Sequence, residues 1–203
     1  MVMINFTEEW KKKMKKKILM CLSLMIMVIL SSCTAKQSWN NADKHTTFTT
    51  SDGKTVSLYE PKQSVESKYP DMQSSDGKEY DLGDLSVVFR DRNIDGKIQK
   101  VVVQIEGRFI SDSDFLSLPY GINGDDSKQK IFDTLGENVY QNESGNCAAF
   151  FDDQHNVLPV VDDNYPNRYS YVLIYRFNDF MGNESDKIVD IALCDQIYFE
   201  IHK

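Results

Sequence analysis

Oxygen-bearing side chains recur at every second position in the middle of the chain, at Asp91, Asn93 and Asp95, and Gly96 follows them. Carboxylate and amide oxygens are the ligands that Ca²⁺ prefers, and a glycine after the third ligand lets the backbone turn sharply around the ion. These residue types at this spacing predict a weak calcium site.

The segment Asp91–Ile98 resembles the first half of an EF-hand calcium loop, with an aliphatic residue at position eight. Position twelve is Val102, however, where a bidentate Glu normally completes the coordination, and strand-like sequence follows instead of a helix. These departures favour the alternative interpretation, a β-turn in which Asp95 and Gly96 adopt left-handed geometry.

Acidic residues also occur as adjacent pairs in loop-like sequence. The pairs are Asp125-Asp126, Asp152-Asp153 and Asp162-Asp163. Two carboxylates that the fold brings together can do acid–base work or bind a cation, so a hydrolase or metal-dependent enzyme is one hypothesis. It predicts that several of these side chains converge in a pocket with Asp91 and Asp95. Solvated loop charge is the favoured alternative.

The positions of the three histidines do not support the hypothesis that the protein is an enzyme. His45 lies in a polar N-terminal segment, His155 in a polar loop and His202 next to the C-terminus. None of them has metal-ligand spacing with another histidine or cysteine, and the chain contains no Gly-x-Ser-x-Gly motif. The sequence therefore favours a non-enzymatic protein, with weak calcium binding as the cofactor hypothesis.

A basic cluster followed by an apolar run occupies the N-terminal part of the chain. Lysines fill positions 11–13 and 15–17, and residues 18–30 then contain no charged side chain. This order is typical of a signal peptide. A helix over the apolar run would span about 20 Å of a hydrocarbon core of roughly 30 Å, so a permanent transmembrane helix is the weaker interpretation.

The residues at the end of this apolar run form a candidate lipidation motif. Leu30-Ser31-Ser32-Cys33 resembles the lipobox of bacterial lipoproteins, in which a cysteine thiol receives a diacylglyceryl group. The resemblance implies cleavage between Ser32 and Cys33, lipidation of Cys33, and a location at the extracytoplasmic face of the cell membrane. An ordinary secretory signal with a chance cysteine is the alternative.

Removal of residues 1–32 would leave a strongly acidic chain. The whole sequence has 23 basic and 31 acidic residues, and the removed segment takes six lysines with Glu8 and Glu9. The remaining 17 basic and 29 acidic residues give a net charge of −12. Such a surface repels nucleic acid and anionic headgroups, so we expect the lipid to hold the protein on the membrane and exclude nucleic acid as a partner.

Two cysteines, Cys147 and Cys194, would remain besides Cys33. Outside the cytoplasm such a pair permits a disulfide, and closing a loop of about 48 residues would add roughly 4 kcal/mol on the chain-entropy model. Two buried free thiols are the alternative, because two cysteines alone give no spacing pattern.

The composition divides the rest of the chain in two. Residues 33–75 are rich in polar side chains and poor in aliphatic ones, which predicts a flexible tether behind the lipidated N-terminus. Residues 76–203 show the patterns of one globular domain. We predict an α+β fold, in which one short helix packs on an antiparallel β-sheet.

Alternating and unbroken apolar patterns predict the strands. Residues 86–90 and 98–106 alternate and read as two strands joined by a turn. The β-branched and aromatic run over residues 169–177 predicts a central strand. The alternation over residues 189–201 predicts two strands, or one strand bent at Asp195.

One helix of about nine residues is predicted between a cap at Asp126 or Ser127 and a glycine stop at Gly136. Its apolar stripe is formed by Ile131, Phe132 and Leu135. The segment Tyr120–Gly136 resembles part of small lipoproteins of the outer-membrane-assembly type and of β-lactamase-inhibitor-like domains. This resemblance implies a binding module and not an enzyme, and a generic capped helix is the alternative.

Aromatic side chains on the central strand suggest contact with a partner. Tyr169, Tyr171, Tyr175 and Phe177 share one face of the predicted strand. If exposed, they could stack on a glycan or anchor a protein partner, whereas a buried face is the favoured alternative. The sequence as a whole predicts a cell-envelope lipoprotein that acts as a binding, scaffold or accessory module, with a calcium-binding domain or hydrolase as the second hypothesis.

Overall fold

A computed structural model describes residues 43–74, 76–108, 115–124, 126–161, 165–177 and 185–202. These residues belong to one unit, Ser38–Lys203, and form mostly antiparallel strands with a few short helices, which agrees with the predicted α+β class. The predicted signal peptide and Cys33 lie outside the described residues. In the part that is described, no helix is long and apolar enough to cross a membrane.

Most of the described elements are short, and β4 and β5 are the longest strands among them. The strands are β1 (Thr47–Thr50), β2 (Thr55–Ser57), β3 (Glu79–Asp81), β4 (Leu85–Ile94), β5 (Lys97–Arg108), β6 (Phe115–Ser117), β7 (Tyr140–Gln141), β8 (Cys147–Phe151), β9 (Val157–Leu158), β10 (Tyr171–Arg176) and β11 (Asp190–Asp195). The helices are α1 (Lys62–Lys68), α2 (Lys128–Leu135) and α3 (Gln196–His202), with a 3-10 turn at Pro119–Gly121.

The larger sheet has the strand order β3-β4-β5-β11-β10-β8-β7, and β9 pairs with β8. All of these pairs are antiparallel. The last strand, β11, lies in the middle of the sheet between β5 and β10, so that Leu193 is paired with both Ile105 and Leu173. The predicted strands over residues 86–90, 98–106 and 169–177 are confirmed.

The residues of the predicted calcium loop form the β4–β5 hairpin. Asp91 and Asn93 lie within β4, opposite Lys100 and Ile98 of β5. Asp91 and Asn93 are two apart on an extended strand, whereas the ligands of an EF-hand come from a loop that wraps around the ion. The predicted site at Asp91, Asn93 and Asp95 is therefore replaced by a hairpin, and Asp95 stands in its turn.

The turn itself is the alternative that the sequence favoured. Ile94 pairs with Lys97, so two residues, Asp95 and Gly96, connect the strands. Their φ angles are 51° and 81°. Positive φ at both central residues matches the twist of the flanking strands, and Asp-Gly tolerates it well.

The predicted tether over residues 33–75 is wrong for residues 43–74, which are folded. Strands β1 and β2 pair with each other, and β6 pairs with β1, to form a second, three-stranded sheet. Phe48 of β1, Val56 of β2 and Val65 of α1 are fully buried against the larger sheet. The segment has few apolar side chains, but nearly all of those point inward, which a composition count does not detect.

Polar groups in this segment are satisfied internally. Glu60 is buried and accepts hydrogen bonds from the Ser57 backbone N–H and the Ser64 hydroxyl, while Lys68 Nζ lies 2.6 Å from its carboxylate. The backbone of the same segment is bonded to β5, because Val102 N–H donates to the Glu60 carbonyl at 2.9 Å. Residues 57–68 are thereby fixed as part of the domain.

The aromatic face of β10 is buried. Tyr169, Tyr171, Tyr175 and Phe177 are between 0% and 6% exposed, so the favoured alternative, a buried face, is confirmed and these side chains form no surface patch. Three of them, Tyr171, Tyr175 and Phe177, pack in the main core with Ile131 of α2. Tyr169 packs instead with Phe150 on the other face of the sheet.

The sequence predicted one helix, and the described residues contain three. Helix α2 is confirmed, with Ile131 and Leu135 buried and Gly136 at its C-terminus with φ 86°. Helix α3 occupies residues 196–202, where the alternation predicted a strand, and so this part of the prediction is wrong. The reason is Asp195, whose Oδ1 accepts a hydrogen bond from Tyr198 N–H at 2.7 Å and starts the helix as an N-cap.

Of the two alternatives left open for Cys147 and Cys194, the structure has the free thiols and not the disulfide. Both are buried free thiols, on β8 and β11, with β10 between these strands. The register places Cys147 beside Tyr175 and Cys194 beside Val172, which lie on opposite faces of the sheet. Burial raises the pKa of Cys147 to about 11 and that of Cys194 to about 12.

Candidate functional site

Asp43, His45 and His155 converge at one place on the surface. Asp43 and His45 precede β1, and His155 lies in the turn between β8 and β9. Asp43 Oδ1 is 2.8 Å from His45 Nδ1, and Asp43 Oδ2 is 2.6 Å from His155 Nε2. The two imidazole rings stack with their centroids 4.5 Å apart. We call these three residues the histidine cluster.

The backbone before β1 holds the first two members in place. Asp43 Oδ1 accepts a hydrogen bond from the His45 backbone N–H at 2.9 Å. The Asp43 carbonyl accepts from Thr46 N–H at 2.9 Å and from the Thr47 hydroxyl at 2.7 Å. Phe48, the second residue of β1, is buried in the core and anchors the start of the strand.

A polar turn holds His155. The Asp152 carboxylate accepts hydrogen bonds from the backbone N–H groups of Gln154 and Asn156, both at 2.9 Å, and from Asn156 Nδ2 at 3.0 Å. His155 itself has φ 65°, a left-handed conformation that non-glycine residues rarely adopt. Local hydrogen bonding thus stabilises a strained backbone that points the imidazole at Asp43.

Behind His155 lies a pair of tyrosines. His155 Nδ1 is 2.7 Å from Tyr171 Oη, and Tyr171 Oη is 2.6 Å from Tyr120 Oη. Both phenol rings stack on Phe151, with centroid distances of 4.8 Å. Tyr120 also has a left-handed backbone, with φ 62°. The imidazole of His155 is therefore oriented by contacts to both of its nitrogens.

The pKa values of the surrounding groups reflect this packing. Partial burial raises the pKa of Asp43, but hydrogen bonds from His45 and the charge of His155 outweigh it and leave the pKa below its usual value. Burial raises the pKa of Tyr120 to about 12 and that of Tyr171 further still. The carboxylate is thus ionised at neutral pH, and both phenols keep their protons.

These charges define the direction of the hydrogen bonds. An ionised carboxylate only accepts, so His155 Nε2 donates to Asp43 and Nδ1 must accept from Tyr171 when the imidazole is neutral. Tyr171 Oη then accepts from Tyr120. A continuous polar chain runs from the surface carboxylate through the imidazole to two phenols.

The cluster also offers a set of metal ligands. Each of Asp43, His45 and His155 can provide one ligand atom, and these atoms all lie within 4.8 Å of one another. The side chains are 37%, 27% and 29% exposed, so solutes can reach them. Imidazole nitrogens with a carboxylate oxygen are typical ligands of Zn²⁺ and related transition metals.

The predicted acidic sites do not assemble here. Asp126 accepts a hydrogen bond from Asn123 N–H at 2.7 Å, and Asp152 supports the His155 turn. Asp91 and Asp95 belong to the β4–β5 hairpin. Of the other predicted acidic residues, Asp153 makes no close group with these. The rest, Asp125, Asp162 and Asp163, lie outside the described residues.

Two carboxylates that the sequence did not single out do meet elsewhere. Glu106 of β5 and Asp190 of β11 share the guanidinium of Arg176, at 3.0 and 2.9 Å from its Nη1. Burial raises the pKa of Asp190 to about 7, against the opposing effect of Arg176. These side chains bridge neighbouring strands, which makes them a structural ion pair of the sheet.

Sequence reasoning missed the histidine cluster because its members belong to separate segments. His45 and His155 have no ligand spacing along the chain, and His45 was assigned to a tether. The local signal was Asp43-x-His45, which places a carboxylate and an imidazole close enough to bond before a strand. It could be recognised only once residues 43–50 were known to fold onto the sheet.

Comparisons with known proteins give the chain no relative. No protein-family model, curated protein or solved structure matches it. The site is therefore interpreted from its own geometry and from the sequence around Cys33.

Proposed function

We propose that this protein is a lipid-anchored binding protein of the cell envelope, whose ligand binds at the histidine cluster. The observation that carries the binding function is the convergence of Asp43, His45 and His155 at an accessible surface. Both imidazoles contact the Asp43 carboxylate, which also accepts from the His45 backbone N–H, and Tyr171 fixes the second nitrogen of His155. Groups that are ordered before the ligand arrives lose little entropy on binding, which favours affinity.

The anchor is supported by the sequence. A lysine cluster, an uncharged apolar run and Leu30-Ser-Ser-Cys33 occur in the order of a lipoprotein signal. The remaining chain, with a net charge of −12, would be repelled by anionic headgroups, so attachment requires the acyl chains. With only nine residues between Cys33 and Asp43, the binding site would stand close to the membrane.

We expect Cys33→Ala to abolish attachment. Without the thiol no diacylglyceryl group can be added, and the protein should move from the membrane fraction to the medium or periplasm. Fractionation with immunoblotting and metabolic labelling with a fatty acid measure the change. Cys21→Ala is the matched control, because Cys21 lies inside the apolar run and should leave labelling intact. Membrane retention of the Cys33 variant would contradict the anchor.

The binding function predicts a ligand that depends on the cluster. Native mass spectrometry of the full chain, purified from its own membranes in detergent, should show an added mass. The double variant His45→Ala/His155→Asn should lack this mass, because it removes two of the three converging groups. Asparagine is chosen at position 155 because it tolerates positive φ better than most residues. Identical adducts on both proteins would rule out binding at the cluster.

A further inference from the structure

We propose that the ligand of the histidine cluster is a zinc ion, bound by the Asp43 carboxylate, His45 Nδ1 and His155 Nε2. This inference rests on the proposed binding function and names the chemical class of its ligand. It replaces the calcium hypothesis with a different metal and with different residues.

The donor set selects the metal. Two imidazole nitrogens and one carboxylate oxygen suit zinc, which binds nitrogen and oxygen ligands in tetrahedral geometry. Ca²⁺ and Mg²⁺ bind oxygen ligands almost exclusively, so a site with two imidazoles discriminates against them. Cu²⁺ is the strongest competitor, because affinities of such sites rise along the series to copper.

The distances allow one ion to be bound after side-chain movements of about an ångström. Tetrahedral Zn²⁺ with bonds of about 2.0–2.1 Å separates its ligand atoms by about 3.3 Å. Asp43 Oδ1 and Oδ2 now lie 2.8 and 2.6 Å from the two imidazole nitrogens. An ion that enters here would replace the two hydrogen bonds and widen the contact between the ligating oxygen and its imidazole by about 0.5–0.7 Å. All the ligand atoms already lie within 4.8 Å of one another, so any longer separation would have to shorten by about 1.5 Å at most. The exposed edges of the three side chains leave room for this movement.

The tyrosine pair provides the outer support that zinc sites use. A ligating imidazole generally donates its second N–H to a hydrogen-bond acceptor, which fixes the tautomer and the ring orientation. Tyr171 Oη is positioned to accept from His155 Nδ1, at 2.7 Å. Zinc on Nε2 would thus reverse the polar chain, so that His155 donates to Tyr171 and Tyr171 donates to Tyr120. Both directions are possible because a phenol hydroxyl can donate as well as accept a hydrogen bond.

The proposed site has three protein ligands and an accessible side. Zinc bound by three protein groups keeps a fourth position for water or for a group from another molecule. The cluster lies at the surface, where such a group can approach. The metal would then connect this domain to a partner or small ligand that offers a fourth donor.

Calorimetric titration of the metal-free full chain with ZnCl₂ tests the site. We expect one ion per chain for the wild type. Tyr171→Phe keeps the buried ring but removes the hydroxyl, and should weaken zinc binding by about 10–100-fold, as is usual for an outer-shell partner. His45→Ala and His155→Asn remove ligands and should each weaken it by more than Tyr171→Phe does. Asp91→Asn/Asp95→Asn, the matched control, should bind zinc like the wild type.

Each outcome has a definite meaning. Near-UV circular dichroism of each variant measures whether it is folded. If a histidine variant does not fold, Tyr171→Phe still tests the site. The inference is overturned if Tyr171→Phe, His45→Ala and His155→Asn all bind zinc like the wild type. It is also overturned if the wild type binds no zinc. If native mass spectrometry still shows a cluster-dependent adduct of another mass, the zinc inference fails while the proposed binding function stands.

Discussion

Phe48→Ala should lower the free energy of unfolding by about 3–5 kcal/mol, the usual cost of removing a fully buried phenylalanine ring. Phe48 has no exposed surface and packs between the small sheet and the main core. Total stabilities of such domains are about 5–15 kcal/mol, so the variant would lose a large share of its stability. Urea unfolding monitored by tyrosine fluorescence measures the difference.

The same measurement separates a folded segment from a tether. Lys44→Ala is the control, because Lys44 is exposed four residues earlier and should change stability by less than about 0.5 kcal/mol. If residues 43–74 were a tether, Phe48→Ala would also have no effect. A loss below about 1 kcal/mol would therefore contradict the packing of β1 on the sheet.

Asp195→Ala should cost about 3–5 kcal/mol, because it breaks a buried ion pair on one side only. Asp195 is 1% exposed and accepts two hydrogen bonds from Arg92, Nε to Oδ2 at 2.7 Å and Nη2 to Oδ1 at 3.0 Å. Alanine would leave the guanidinium of Arg92, a largely buried side chain, without its partner. It would also remove the N-cap of α3, which is worth about 1 kcal/mol.

A conservative substitution divides these two contributions. Asp195→Asn retains an oxygen that can cap α3 but loses the negative charge, so it should recover the cap and only part of the ion pair. Thermal and urea unfolding of both variants, with far-UV circular dichroism for helix content, provide the comparison. Equal stability of Asp195→Ala and the wild type would show that the Arg92 pair does not support the fold.

Elements whose signals are local could be predicted from the sequence. The β4–β5 hairpin follows from alternation around Asp95-Gly96, and α2 follows from an apolar stripe that ends at Gly136. Both are specified within about a dozen residues by side-chain period and turn chemistry. Asp195 interrupts the alternation, but its role as the N-cap of α3 is evident only from the hydrogen bond that its carboxylate accepts from Tyr198 N–H.

Features that depend on tertiary contacts could not be predicted in the same way. β1 and α1 have weak patterns and gain their stability by docking Phe48 and Val65 on a sheet formed by later residues. The histidine cluster depends on that docking, since His45 meets His155 only after β1 is in place. Because residues 43–74 were predicted to be a tether from their composition, neither the three-stranded sheet nor the histidine cluster could be predicted.

The position of β11 in the middle of the sheet has a consequence for the order of folding. Its partners on β5, which include Ile105, are separated from it by most of the domain's sequence. Forming such contacts costs the entropy of closing a large loop before any favourable contact is made, which slows folding. We therefore expect β5 and β11 to pair late and cooperatively. The N-terminal signal that we propose would be displayed first during synthesis, and the sheet would close last. The two central pairings of the sheet, β5 with β11 and β10 with β11, cannot form until residues 190–195 have been synthesised.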